Sequence, residues 1–404
     1  MNRLIVIFSL LIFVIGCGGP TKAGLEARAK AHSRMDSVNA DLAAQQAKQQ
    51  FEVGQLDKAI VTINAAIARY SENGNYHLLR GRILLEQHRL DAAYHALTKA
   101  TTYSPELPEP YYFLGTLHQR WGEDEKALAS YKKAMENDTS HPQYFLATAE
   151  TYVALEQYDS AVEFLTSSGQ EFQHHPSVSL LLGQIHLTIG QPEEAATWFE
   201  DSRMLGSENP EVLTLLATSH FSSGNYAECL HALALLQDEQ ESLSTTMKRI
   251  KGKCLSATGR SVEGRDLCLL ITREIPDDSG SWIDLGYISW DMGDYKRLGS
   301  CGAKISHLAP DLPEGPLFEG IAALHSGNQV KANKKLSLLE SDNSIHGIDT
   351  LLKMVAKNTK NEAETLVPLD LPSETAEVLV EPHEQVLVEG SQPIATVVDS
   401  PETP

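Results

Sequence analysis

Residues Glu109 to Pro142 read EPYYFLGTLHQRWGEDEKALASYKKAMENDTSHP, and this stretch decides the fold. Apolar and small residues fall at helical spacing on both sides of a break at Gly122. The pattern predicts two short antiparallel helices whose backbones approach each other at small residues. Gly115 and Ala127 are expected at that contact, surrounded by four large side chains: Tyr111, Leu114, Leu128 and Tyr131.

The same pattern recurs every 34 residues. The Gly115 position holds only Gly or Ala in six consecutive copies, namely Ala47, Gly81, Gly115, Ala149, Gly183 and Ala217. The Ala127 position is also small throughout, with Ala59, Ala93, Ala127, Ala161, Ala195 and Cys229. The turn position holds Gly54, His88, Gly122, Glu156, Gly190 and Gly224. One extra residue between Gln237 and Ser244 shifts the frame, and the pattern then continues to nine copies with turns at Gly259, Gly293 and Gly327.

This spacing resembles the tetratricopeptide repeat, a helix-turn-helix unit of 34 residues. The resemblance covers residues 40–346. It implies an all-α, right-handed α-solenoid (superhelix) of about nine repeats, in which each repeat contacts only its neighbours. Proline residues punctuate the repeats, since Pro108, Pro142 and Pro176 stand where a first helix would begin.

The N-terminal residues are predicted to form an export signal. Residues 1–16 hold one basic residue, Arg3, ahead of an apolar run that is too short to span a bilayer. The run ends in Val14-Ile15-Gly16-Cys17, which resembles a bacterial lipobox and implies acylation of Cys17 after cleavage. An ordinary secretory signal cut near a chance cysteine is the alternative. Gly18 after the cysteine resembles the rule for outer-membrane sorting, so a lipid anchor in the outer membrane facing the periplasm is favoured over the inner membrane. Residues 17–39 are then a lipidated tether and helical lead.

The C-terminal end differs in composition. Residues 347–357 are expected to form a capping helix. Residues 358–404 form an acidic, proline-rich tail that lacks aromatic residues, and a tail of this composition is expected to be disordered. The whole chain has a formal net charge of −21 and no clustered Lys and Arg, which argues against nucleic acid as a partner.

No catalytic, cofactor or metal site is predicted. Cysteine and carboxylate ligands are missing at zinc-like spacing around His77, His88, His95 and the pair His174-His175, which we expect to be solvated. Gly-rich phosphate loops and nucleophile-elbow motifs are also missing from the sequence. Cys254 and Cys268 could be buried thiols or, in an oxidising compartment, a disulfide. We therefore expect a protein that is not an enzyme.

The resemblance implies a concave groove lined by the first helix of each repeat. Transferred position by position, the groove contains residue types that often anchor protein interfaces: Arg82, Tyr112, Arg120, Phe221, Tyr287 and Trp290. Packing of some aromatics against neighbouring repeats is the alternative. The carboxylate clamp of chaperone-binding relatives is missing, because its positions hold residues such as Leu78, Thr116 and Leu146.

These features predict a membrane-anchored scaffold that binds a peptide or helix of a protein partner. By resemblance, candidate assemblies of the bacterial envelope are pilus or secretion systems, outer-membrane protein assembly and recruitment of cell-wall hydrolases. The competing hypothesis is a polysaccharide-binding or export-associated lipoprotein, because exposed aromatic rings such as Tyr287 and Trp290 stack on sugars.

Overall fold

The computed structural model describes residues 21–167, 172, 174–206, 211–239 and 242–339. These residues form eighteen α-helices, one short 3-10 helix at Ser337–Leu339 and no strand. The α-helices are α1 (Lys22–Glu52), α2 (Leu56–Arg69), α3 (Gly74–Glu86), α4 (Leu90–Tyr103), α5 (Pro108–Arg120), α6 (Asp124–Asn137), α7 (Pro142–Ala154), α8 (Tyr158–Ser167), α9 (Pro176–Thr188), α10 (Pro192–Met204), α11 (Glu211–Ser222), α12 (Tyr226–Glu239), α13 (Thr245–Ala257), α14 (Ser261–Glu274), α15 (Ser279–Asp291), α16 (Tyr295–Leu308), α17 (Glu314–His325) and α18 (Gln329–Leu336).

The helices form nine consecutive pairs, and the predicted all-α solenoid is confirmed for the described residues. Helices α5, α7 and α9 begin at Pro108, Pro142 and Pro176, as the sequence predicts. The chain divides into two compact units, an N-terminal unit up to Val212 and a C-terminal unit from Leu213. Four predicted segments lie wholly or mostly outside the described residues: the signal peptide with Cys17, the start of the tether, the capping helix at 347–357 and the acidic tail at 358–404.

Within a pair, the helices meet where a small residue of the first helix faces a large residue of the second. A methyl group added at Gly115 would lie 2.5 Å from the Tyr131 ring, and one added at Gly183 would lie 2.5 Å from Phe199. The facing large residue is at most 2% exposed in each of the first six pairs: Ile63, Leu97, Tyr131, Leu165, Phe199 and Leu233. Burying one such side chain contributes about 1.5–3 kcal/mol. The Ala127 position is fully buried as well, so both small positions serve the helix contact.

The eighth pair departs from this rule. Its second helix has Gly302 where the first six pairs and the ninth have a large side chain, and Leu298 at the usual small position. The gap over Gly286 is filled by Phe318 of α17, whose ring contacts Gly286 and is fully buried. Phe318 thereby ties the eighth pair to the ninth.

The nine turns between paired helices share one backbone conformation. The turn residue has a positive φ, between 56° and 82°, in every pair. Glycine adopts this left-handed conformation without strain and occupies seven of the nine turns. His88 and Glu156 adopt it with φ of 56° and 57°.

Helix α1 joins the predicted lead to the first repeat in one helix of 31 residues. Thr21 caps its start, since the Thr21 hydroxyl accepts a hydrogen bond from the Gly24 amide at 3.2 Å. Every residue from 22 to 36 is exposed, and burial begins at Ala40. The repeat therefore starts packing where the sequence places its boundary.

Candidate partner-binding face

First helices of neighbouring pairs contact one another directly, for example α1 with α3 and α13 with α15. We call the surface of α1, α3, α5, α7 and α9 the first-helix face of the N-terminal unit. The corresponding face of the C-terminal unit is formed by α11, α13, α15 and α17. All six predicted groove residues lie on these first helices. Whether they contact a partner stays a prediction.

The guanidinium of Arg82 lies near two aromatic rings. Its guanidinium carbon lies 5.2 Å from the centroid of the Phe51 ring and 5.7 Å from that of Phe113. Both rings belong to neighbouring first helices, α1 and α5. Stacking orients a guanidinium without using its N–H groups. Among the described residues, no side chain or carbonyl accepts a hydrogen bond from Arg82.

Tyr112 lies in an aromatic cluster next to this site. Its ring centroid is 5.5 Å from that of Phe113, 5.6 Å from Tyr131 and 5.4 Å from Tyr144. Burial, and then the charge of Glu150, raise the pKa of the Tyr112 hydroxyl. Tyr112 is therefore neutral and partly buried against its aromatic neighbours.

Hydrogen bonds link α5, α6 and α7 behind this cluster. The Tyr131 hydroxyl donates to Gln119 Oε1 at 2.6 Å, and Gln119 Nε2 donates to Thr151 Oγ1 at 3.2 Å. The Thr151 hydroxyl in turn donates to the Ala147 carbonyl at 2.6 Å. These bonds fix the spacing of neighbouring first helices.

Glu150 of α7 is a partly buried carboxyl group on the same face. No hydrogen bond or ion pair of Glu150 is found among the described residues. Burial raises the pKa of Glu150 to about 7. Its charge also raises the pKa of both Tyr112 and Tyr131, which places the three groups within electrostatic reach of one another. A carboxylate that has lost water without gaining a partner is costly for the fold.

Arg120 stands at the end of α5 and is exposed. The structure gives it no ion pair with the described residues. It is therefore the most accessible of the six predicted residues and the one least engaged in packing.

In the C-terminal unit, Phe221 and its neighbours form a charged arrangement. Lys253 Nζ lies 4.9 Å from the centroid of the Phe221 ring and 3.6 Å from Asp284 Oδ1. Arg249 Nε donates to Asp284 Oδ2 at 2.6 Å, and Asp284 is only 4% exposed. This buried carboxylate is thus paired with two cations.

Tyr287 and Trp290 lie one turn apart on α15. Their ring centroids are 6.5 Å apart with planes at 12°, and the Tyr287 ring meets the Phe318 ring edge to face at 5.0 Å. Both side chains are partly buried against the core of the C-terminal unit. Burial raises the pKa of the Tyr287 hydroxyl. Packing therefore accounts for much of the surface of Tyr287.

Sequence reasoning missed several residues of these arrangements: Phe51, Phe113, Glu150, Arg249, Lys253 and Asp284. Phe51, Arg82 and Phe113 belong to three successive repeats, and each lies 31 residues after the one before it. Because the repeat length is 34, the contacting residue moves three positions earlier in each successive repeat. Lys253 and Asp284 show the same step of 31. A search at the repeat length of 34 does not reveal these rows, whereas a search at 31 would have done so.

Three family models, each described as tetratricopeptide repeat, match residues 44–108, 108–141 and 152–218. The chain belongs to the tetratricopeptide repeat family. No curated protein matches the chain in sequence.

Several solved structures are similar to parts of this chain. The type IV pilus biogenesis factor PilW is 19% identical, with a TM-score of 0.44, and the match covers 52% of this chain and 97% of that protein. Pseudomonas aeruginosa pilF is 18% identical with a TM-score of 0.42, covering 52% and 94%. A tetratricopeptide repeat protein from Parabacteroides merdae is 16% identical with a TM-score of 0.37, covering 70% and 98%.

The four cysteines in the described part of the chain lie in the interior. Cys229, Cys254, Cys268 and Cys301 are all buried free thiols, so Cys254 and Cys268 are not bonded to each other in this structure. In the described part of the chain, no three His, Cys, Asp or Glu residues converge as a metal site would require. None of the described helices is both long and apolar enough to cross a bilayer.

One histidine prediction is wrong. His77 is only 2% exposed, although we expected it to be solvated. Its ring stacks on Tyr103 at 5.3 Å, and its Nε2 donates to the Ser71 carbonyl at 2.8 Å. Burial lowers the pKa of His77, so the ring is held neutral. The imidazole is a packing element of the second pair.

Proposed function

We propose that this protein is a non-enzymatic scaffold that is anchored to a bacterial membrane through lipidated Cys17 and holds a protein partner on its first-helix face. The family supports the coarser part of this proposal, since tetratricopeptide repeats are in general protein-interaction scaffolds. The observation that carries it further is the state of the charged groups on α3 and α5. Arg82 keeps its N–H groups without an acceptor, and Arg120 is exposed without an ion pair. Arginine in such a setting is a frequent anchor of protein interfaces.

Site-specific cross-linking in cells tests the protein-binding part. A photoreactive residue replaces Arg120 on the first-helix face, and a matched one replaces the exposed Ala129 on α6, a second helix. We expect one dominant protein adduct at position 120 and none of that mass at position 129. The adduct should be lost when Arg82 is changed to Gln. Equal capture at both positions, or a glycan adduct instead of a protein adduct, would contradict the proposal.

Fractionation tests the anchor. The proposal expects the full chain in the membrane fraction. The Cys17→Ser variant should appear in the soluble fraction if it is cleaved, or otherwise as the unprocessed precursor. Metabolic labelling with an alkyne fatty acid should mark the parent protein and not the variant. Membrane association of an unlabelled parent protein would remove lipidation from the proposal while leaving partner binding unaffected.

A further inference from the structure

Two opposite charges without partners occupy the same position of two repeats in the N-terminal unit. Arg82 in the second repeat and Glu150 in the fourth are 68 residues apart, which is twice the repeat length. Thr116 holds this position in the repeat between them. The three residues therefore follow one another along the first-helix face, on α3, α5 and α7.

The side chains at the two ends of this line can each bind a charged group of a ligand. At one end, the Arg82 guanidinium carbon lies over the rings of Phe51 and Phe113, and its N–H groups have no acceptor among the described residues. A planar fork of donors matches a carboxylate in a two-point hydrogen bond. At the other end, Glu150 has lost water without gaining a donor, so an incoming ammonium or guanidinium would recover the lost interaction.

The surface between the two ends suits a peptide. Tyr112 and Phe113 provide ring surface beside the line, and the Thr116 hydroxyl is tied to the Tyr112 carbonyl at 3.2 Å. Neighbouring packed helices are roughly 10 Å apart, so two steps separate the ends by about 20 Å. An extended chain covers this distance in about six residues and a helix in about thirteen.

We propose that the first-helix face of the N-terminal unit binds a peptide of mixed charge, with an acidic side chain on Arg82 and a basic side chain on Glu150. This inference rests on the proposed function and specifies the partner. Charge complementarity makes the preference directional, because a peptide with the two charges exchanged would place like charges together at both ends.

Selection from a displayed library of random 16-residue peptides tests the proposal on the detergent-solubilised full chain. We expect enriched peptides to share an acidic and a basic residue separated by about six or about thirteen positions, always in the same order. A selected peptide should bind at least tenfold more weakly to Arg82→Gln and to Glu150→Gln. Reselection on Arg82→Gln should lose the acidic preference and keep the basic one, and reselection on Glu150→Gln should do the reverse.

Matched variants control for general charge effects. Arg69→Gln on α2 and Glu163→Gln on α8 make the same changes at exposed positions of second helices and should leave binding unchanged. Circular dichroism confirms that each variant is folded. Peptides enriched without a charge pair, or peptides whose binding ignores both substitutions, would overturn this inference and leave the proposed function standing. Enrichment of no peptide at all would count against the protein-binding function itself.

Discussion

At the scale of single residues, the turns between paired helices restrict most clearly which residue type fits, because each turn residue has a positive φ. Seven turns use glycine in a left-handed conformation, and His88 and Glu156 adopt the same conformation with exposed side chains. The left-handed conformation destabilises the folded state by roughly 1–2 kcal/mol when a residue other than glycine adopts it. Glycine avoids this strain, but its greater freedom in the unfolded chain costs about 0.5–1 kcal/mol and offsets part of the gain.

We therefore expect His88→Gly and Glu156→Gly each to raise the free energy of unfolding by about 0.5–1 kcal/mol. Urea unfolding followed by circular dichroism measures the change. Gly122→Ala is the matched control and should lower the free energy of unfolding by about 1 kcal/mol. A loss of stability in the two glycine variants would show that their side chains make interactions that the turn geometry does not reveal.

Glu150 predicts a pH dependence at the same scale. Its pKa is raised from 4.5 to about 7, so the folded state binds more protons than the unfolded state between these values. The free energy of unfolding should consequently fall as the pH rises from about 4.5 to about 7, by at most ~3 kcal/mol. Tyr112 and Tyr131, which face Glu150, stay protonated in this window because their pKa values are raised.

Glu150→Gln should be as stable as the parent protein at pH 4 and more stable above pH 7. Denaturant unfolding across this pH range gives the comparison, with Glu163→Gln as a control that should show no such trend. If the parent protein and Glu150→Gln differed by the same amount at every pH, the raised pKa would be refuted.

At the scale of helices, the contact between a small and a large residue determines how each pair closes. A methyl group at Gly115 would meet the Tyr131 ring at 2.5 Å, and that ring is 2% exposed and cannot move aside. The fourth pair has Ala149 at the position of Gly115 and Leu165 at the position of Tyr131. A smaller partner thus tolerates the extra methyl group.

We expect Gly115→Ala to destabilise the protein by about 1–3 kcal/mol through overpacking. The double variant Gly115→Ala/Tyr131→Leu copies the fourth pair and should lose less stability than the two single variants added together. Thermal unfolding of the four proteins completes the cycle. Simple additivity would mean that Gly115 and Tyr131 do not constrain each other.

Much of this helix-level organisation was predictable from the sequence, whereas the surface was not. Gly122, Pro108 and Ala127 mark turns, helix starts and contacts because each depends on the backbone of one repeat. The environment of Arg82 depends on Phe51 and Phe113, which two neighbouring repeats supply, and the burial of Glu150 depends on the packing around it. Such contacts follow from how repeats stack, and the pattern within one repeat does not contain that information.

At the scale of the molecule, the chain comprises two compact units, and the buried side chains of each unit form separate hydrophobic clusters. Phe318 is fully buried in the C-terminal unit, and Phe145 is 2% exposed in the N-terminal unit. In repeat proteins stability is a sum of local terms and nearest-neighbour terms, so damage should stay near its origin.

Phe318→Ala should cost about 3–5 kcal/mol and lower amide hydrogen-exchange protection in α15, α16 and α17. Protection in α3 to α7 should stay at the parent level. Phe145→Ala is the reciprocal control and should give the opposite distribution. Equal loss in both units for either variant would indicate one cooperative structure and contradict local stability.

Equivalent positions recur every 34 residues, whereas residues that contact each other across neighbouring repeats, such as Phe51, Arg82 and Phe113, are 31 residues apart. This difference has an evolutionary consequence. Loss of one whole repeat, such as residues 108–141, would keep every remaining turn and small position in phase. It would also bring Ala147 to the place of Phe113, since the two are one repeat apart, and Arg82 would lose one of its rings. Recombination that adds or removes a repeat therefore conserves the scaffold and changes the binding surface in a single event. A lineage of such proteins could acquire new partners without passing through unfolded intermediates.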